Sequence, residues 1–122
     1  MSLINADLEV TAISQVAEDT FALRFHSPEL AARLKPGQFL NILTSEAIEP
    51  LLRRPYSISD IEGDACEILF SLLGKGTHLL ARKRVGDRIG VLGPLGNTFG
   101  YEKDFGTALI VAGGIGIAPF PY

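Results

Sequence analysis

The feature that most constrains this chain is a period-two alternation of apolar and polar residues, in short runs separated by glycine and proline. Leu8, Val10 and Ala12 alternate with Glu9 and Thr11, and Phe21, Leu23 and Phe25 alternate with Ala22, Arg24 and His26. Cys66, Ile68, Phe70 and Leu72 repeat the pattern. Successive side chains of an extended chain point to opposite faces, so the apolar set of each run is expected on a buried face. Further short strands are read at 39–43 behind Pro36-Gly37, at 56–59 behind Pro55, and at 88–92 behind Gly86-Asp87. Many short strands spaced by roughly 8–15 residues predict a small antiparallel barrel or sandwich.

Two helical insertions interrupt the strands. Ser27-Pro28-Glu29 combines a capping residue, a proline suited to the first helical position and an early acid, which predicts one or two turns over 28–34. A second helix is expected to begin at Thr77, behind Gly74-Lys75-Gly76. Leu79, Leu80 and Val85 would form its apolar side, with Arg82, Lys83 and Arg84 near its C-terminal end, where cations suit the helix dipole.

The last segment differs in kind. Residues 107–112 form a continuous apolar run, as expected for a strand buried on both faces of a parallel sheet. It leads into Gly113-Gly114-Ile115-Gly116-Ile117-Ala118-Pro119, and a strand followed by such a turn normally opens a βαβ unit. The sequence ends three residues after Pro119. The expectation is therefore a barrel domain over 1–104, then the first strand and glycine turn of a truncated nucleotide-binding domain over 105–122.

Composition narrows the function classes. The 122 residues include 11 Lys+Arg against 14 Asp+Glu, a formal charge of −3, with 47% hydrophobic and 20% charged residues. This is the balance of a globular protein with one sizeable core. It does not favour a non-specific nucleic-acid binder, whose affinity comes from neutralising phosphates. One cysteine, Cys66, can form no internal disulfide and cannot supply the thiolates of an iron–sulfur cluster. Its alternation with apolar positions reads as core. His26 and His78 have no second ligand at metal spacing, so no metal site is expected. Asp60, Glu62 and Asp64 around Gly63 read as a solvated turn. Without a basic start, an apolar leader or a long uninterrupted apolar span, the chain is expected to be soluble and cytoplasmic, with no membrane partner.

Three motifs can carry chemistry. Arg54-Pro55-Tyr56-Ser57 opens a strand on which Arg54 and Tyr56 share a face and Ser57 points to the other, unless a bulge re-aims it. A planar ring, a hydroxyl and a guanidinium suit a flat heteroaromatic ligand that carries phosphates. A surface arginine beside a half-buried barrel tyrosine explains the same residues equally well. Gly74-Lys75-Gly76-Thr77 can bring backbone N–H groups to an anion, although taken alone it better fits an ordinary turn capped by Thr77. Gly114-x-Gly116-x-Ala118 is a degenerate dinucleotide fingerprint or a plain glycine turn.

Taken in order, Arg54-Pro55-Tyr56-Ser57, Gly74-x-Gly76-Thr77, Leu92-Gly93-Pro94-Leu95-Gly96-Asn97 and the run from Val111 to Pro119 resemble the ferredoxin–NADP reductase superfamily. Leu51-Leu52-Arg53-Arg54-Pro55 and the Gly-Pro-Leu-Gly-Asn run resemble, within it, the electron-transfer subunits of dihydroorotate dehydrogenase. The resemblance covers about Leu8 to Pro119. It implies a mainly-β fold, a six-stranded antiparallel Greek-key barrel with one short helix that binds FAD, followed by an α/β domain for NAD(P). By that likeness Arg54 would hold the FAD diphosphate, with Pro55 beside it. Tyr56 would lie against the isoalloxazine, and Ser57 would sit near its reactive N5. Leu69, Phe70 and Ser71 would run beside the ribityl and adenosine portions. Gly76 and Thr77 would face the diphosphate, and Gly114 and Gly116 would flank an NAD(P) diphosphate.

The implied function is flavoprotein electron transport in pyrimidine biosynthesis, between NAD, FAD and an iron–sulfur cluster, alongside a catalytic dihydroorotate dehydrogenase subunit. The cysteines that would bind the cluster and most of the NAD(P) domain are absent from this sequence, so an oxidoreductase fragment without full turnover is expected. Ser71 stands where relatives often carry a basic residue, leaving Arg54 and the helix N-terminus most of the diphosphate grip. The apolar strand at 107–112 would expose an unpaired edge, so it is expected either to pair or pack with a second chain, a homodimer being one form, or to be disordered. A flavin subunit of a sulfhydrogenase or of a ferredoxin–NADP oxidoreductase fits the same motifs, and a non-catalytic barrel module remains open.

Overall fold

Six antiparallel strands close into a barrel: β1 (Ile4–Ala17), β2 (Thr20–His26), β3 (Phe39–Leu43), β4 (Arg54–Glu62), β5 (Ala65–Ser71) and β6 (Arg88–Leu95). The order around the barrel is β1-β2-β5-β4-β3-β6, so β2 pairs with β5 across the intervening β3 and β4. Closure gives every strand two neighbours, which is how a small all-β domain limits edge-to-edge pairing. The structure, a computed structural model, describes residues 3–43, 54–72, 74–97 and Pro119. The expected strand at 107–112, the turn containing Gly114 and Gly116, and Leu51, Leu52 and Arg53 lie outside the described residues, as does the pairing expected of that strand.

The alternation read from the sequence builds the interior. Val10, Leu23, Phe25, Ile68 and Cys66 are fully buried, joined by Leu40, Ile42, Ile58, Ile89 and Val91 from the remaining strands. Each large aliphatic or aromatic side chain contributes about 1.5–3 kcal/mol on burial. Two expected core positions fail, Ala12 and Leu72, the latter lying beyond the end of β5 and only half-buried, while Ala22, expected outward, is buried. Ala12 is exposed, and Ile13 takes the inward place and packs against the core. A bulge between Val10 and Ala12 is the reason, because one extra residue on β1 inverts the parity beyond it.

Both helical insertions are present. In α1 (Pro28–Arg33) the Ser27 hydroxyl accepts a hydrogen bond from the Leu30 N–H at 3.1 Å, and Leu30 is buried. The Ser27 N–H donates to the Asp64 carbonyl at 2.8 Å, which ties the start of α1 to the β4–β5 hairpin. The second helix, α2 (Gly74–Ala81), begins three residues earlier than the glycines suggest. Gly74 and Gly76 lie in the first turn, not in the helix interior where each would cost about 1 kcal/mol, and Leu80 further along is completely buried. Val85 lies beyond the helix in a turn and is 66% exposed, so it does not belong to the apolar side. Arg82, Lys83 and Arg84 likewise follow the helix rather than end it.

The glycines of β6 and its exit have steric reasons. A Cβ on Gly93 would run into Leu40 Cδ2. Gly96 has φ +78°, and a Cβ there would lie 2.8 Å from Phe39 Cε1. The Leu92-to-Asn97 motif is thus explained by how closely β6 passes over β3, whose Leu40 lies opposite Tyr56 on β4. No described helix is long and apolar enough to cross a membrane.

Candidate functional site

The first residues of β4 pair on one side only. Arg54, Pro55, Tyr56 and Ser57 are opposite Ile42, Asn41, Leu40 and Phe39 of β3. On the other side, the β4–β5 ladder ends at Ile58↔Ile68. Continuing that register would set Tyr56 against Phe70 and Ser57 against Leu69, yet no such pairing forms among the described residues. Leu69, Phe70 and Ser71 pair instead with Ala22, Phe21 and Thr20 of β2. Between the two strands the barrel wall is unzipped, with Arg54 to Ser57 on one lip and Leu69 to Ser71 on the other. Because β5 runs toward this end and continues into Gly74, the first turn of α2, with Gly76, lies at the same end. Thr77 follows in α2 and is half-buried. α1 sits at the opposite end, beside the β4–β5 hairpin.

Tyr56 occupies the interior of the gap. It is 8% exposed, and its hydroxyl is buried with no hydrogen-bond partner among the described residues. Its ring meets the buried Phe70 ring edge-on, with centroids 6.2 Å apart and planes at 70°. Burial raises the phenol pKa, while the Arg54 guanidinium works in the opposite direction. The hydroxyl is therefore protonated at neutral pH, a donor without an acceptor. Leaving such a group unpaired costs about 1–3 kcal/mol, and such atoms in native folds call for an explanation.

Arg54 shares the parity of Tyr56, as the motif suggests, but stands at the strand's first position and is exposed. No described carboxylate pairs with it. Arg24 is the contrast. On β2 it reaches Glu62 and Glu67 at 2.8 Å each and Asp60 at 3.3 Å. Asp60 and Glu62 therefore tie β4 to β2 while Glu67 ties β5 to it, so the two acids do more than form the solvated turn expected. Pro55 is exposed and Ser57 half-buried. Leu69 and Ser71 are half-buried, and the Ser71 hydroxyl lies 3.4 Å from that of Thr20.

The bulge that could have re-aimed Ser57 falls further along, between Ile58 and Asp60, at Ser59. Cys66 is buried in the core, where burial pushes its thiol up to about 12. His26 and His78 are exposed. The sequence reading gave Phe21 and Thr20 no part in the site, although they lie directly across from Phe70 and Ser71. Only the β2–β5 register brings them there, and no local pattern encodes it.

The β4–β5 gap is a slot in the hydrogen-bond ladder that the Tyr56 and Phe70 rings fill, and with an unneutralised guanidinium at the start of β4 it suits an elongated ligand. One end of such a ligand would be flat and aromatic and the other anionic. Comparison with known proteins agrees. A family described as "Oxidoreductase FAD-binding domain" matches residues 7–101. The "Dihydroorotate dehydrogenase B (NAD(+)), electron transfer subunit" of Lysinibacillus sphaericus is 43% identical over 116 residues, covering 92% of this chain and 45% of that relative. This chain therefore spans less than half that relative's length.

Among solved structures, an NADH-dependent reduced ferredoxin–NADP oxidoreductase studied for flavin-based electron bifurcation matches with TM-score 0.68 and 34% identity. That match covers 76% of this chain and 34% of the other. The ferredoxin reductase in carbazole 1,9a-dioxygenase shares the fold at TM-score 0.80 and 23% identity, over 98% of this chain and 38% of that one. The chain belongs to the oxidoreductase FAD-binding domain family, within the ferredoxin reductase superfamily.

Proposed function

We propose that this chain is the FAD-holding barrel of an electron-transfer subunit of the dihydroorotate dehydrogenase B type, and that the unzipped interval between β4 and β5 is its FAD site. The observation that carries the reading is the buried Tyr56 hydroxyl inside that interval, which has no partner among the described residues, two positions from an arginine whose charge no described carboxylate neutralises. Arg54 would grip the diphosphate in fork geometry, with the exposed Pro55 shaping the lip beside it. Gly76 and Thr77 in α2 would add backbone N–H groups and the positive end of the helix dipole. Tyr56 would lie against the flavin and donate its orphan proton to the ribityl or phosphate oxygens. The half-buried Ser57 hydroxyl would hydrogen-bond the reacting edge of the ring, and Leu69, Phe70 and Ser71 would line the opposite wall.

When bound, FAD supplies the hydride and single-electron chemistry; the protein supplies position and electrostatics. Residues 1–104 would form the barrel and 105–122 the opening strand and turn of an NAD(P)-binding unit, with Gly114 and Gly116 at its diphosphate. NAD, the iron–sulfur cluster and a catalytic dehydrogenase partner belong to the whole protein in this reading. The 34% identity to the ferredoxin–NADP oxidoreductase supports a second reading, a flavin subunit with a different electron acceptor.

The test is a titration of the chain with FAD, followed by flavin fluorescence and by absorbance near about 450 nm. Wild type is expected to bind. Arg54→Ala should weaken binding by about 1.5–3 kcal/mol, or about 10- to 150-fold, for the loss of a charge-assisted contact. Unchanged affinity in Arg54→Ala would move the diphosphate elsewhere. No binding by wild type would leave a barrel without the flavin role.

A further inference from the structure

Three aromatic rings run across three neighbouring strands at the end of the barrel that holds the slot. Phe21 of β2 is in register with Phe70 of β5, and their rings stack with centroids 5.7 Å apart and planes at 16°. Phe70 in turn meets Tyr56 of β4 edge-on. The second contact crosses the interval in which β4 and β5 share no ladder pairing among the described residues. Where backbone hydrogen bonds run, they hold neighbouring strands about 4.8 Å apart. Where they stop, side-chain packing sets the spacing. Here that packing is Tyr56 against Phe70, and Phe70 is held from behind by Phe21. Phe21 itself is half-buried and packs against the core cluster one strand away from the slot.

We infer that Phe21 is a positioning residue. Acting through Phe70, its ring fixes the tilt and distance of Tyr56 and hence the width of the slot between β4 and β5. The identity of the ligand rests on the FAD reading above; the mechanical claim about Tyr56 does not. Leucine at position 21 keeps an apolar group on the core but removes the plane on which Phe70 stacks. Tyrosine at the same position keeps the plane. Aromatic pairs contribute enough beyond area burial to shift an equilibrium about two- to tenfold.

The experiment compares wild type, Phe21→Leu and Phe21→Tyr in two measurements. In the ligand-free chain, the aromatic NMR signals of Tyr56 report its surroundings. In an FAD titration, affinity and the visible circular dichroism of the bound flavin report the slot. Phe21→Leu should shift the Tyr56 signals, weaken FAD about two- to tenfold and alter the flavin dichroism, while Phe21→Tyr follows wild type. Unmoved Tyr56 signals with unchanged affinity in a folded Phe21→Leu would overturn the inference. Equal losses in both variants would overturn it as well, because the stacked plane would then not be the cause. If wild type takes up no FAD, the ligand reading falls, and the Tyr56 signals still decide whether Phe21 positions that ring.

Discussion

Tyr56→Phe should move stability and ligand affinity in opposite directions, and both magnitudes follow from the structure. Tyr56 is only 8% exposed and its hydroxyl finds no acceptor among the described residues. Phenylalanine keeps the edge contact to Phe70 and removes only the unpaired polar atom. Relieving part of a penalty of about 1–3 kcal/mol should stabilise the ligand-free chain by about 1 kcal/mol. For a domain of this length that is a rise of about 3–6 °C in Tm. In the FAD complex the same hydroxyl is the donor that the slot offers the ligand. Its loss should weaken binding by about 0.5–1.5 kcal/mol, or about 2- to 13-fold in Kd. Calorimetry of the ligand-free chain and a fluorescence titration with FAD measure the two halves. A lower Tm would mean that the hydroxyl already has a partner. A higher Tm with unchanged Kd would mean that the group is a defect the ligand never meets.

Two further outcomes are expected. Gly96→Ala should destabilise by about 1–3 kcal/mol, because alanine is strained at φ +78° and its Cβ meets the Phe39 ring. Gly63→Ala, at φ +59° with nothing within 4 Å, carries the backbone strain alone, so equal melting losses in the two would remove Phe39 from the explanation. The second concerns alkaline stability. The Cys66 thiol is pushed from an ordinary 9.0 to about 12 in the folded chain, so the unfolded chain releases this proton first. The stabilising contribution is whole below about pH 9 and is lost as pH rises toward about 12. The raised Tyr56 phenol acts in the same direction. Urea midpoints measured from about pH 8 to 11 should fall, and less steeply in Cys66→Val. An identical slope in that variant would place the effect on other groups.

Legibility divides by range. The runs around Leu23, Ile68 and Ile42, the Ser27 cap and the burial of Cys66 could be read directly, because alternation and capping are set by neighbours a few positions apart. The family was suggested by a resemblance carried by four motifs in order, Arg54-Pro55-Tyr56-Ser57, the glycines at 74–76, Leu92 to Asn97 and the run from Val111 to Pro119. The β1 bulge was not readable, and the exchange of Ala12 for Ile13 depends on how β1 meets β2. Nor was the early start of α2, which takes in Gly74, Lys75 and Gly76 that read as a turn.

Residue chemistry, strand periodicity and the first-turn signals of α1 are local properties, and the chain determined them alone. The Arg24 clamp on Asp60, Glu62 and Glu67, the Phe21–Phe70–Tyr56 row and the unzipped interval between β4 and β5 exist only once register is chosen. Closing six strands in the order β1-β2-β5-β4-β3-β6 brings together residues dozens of positions apart. Only the free energy of the closed core selects which of them face each other.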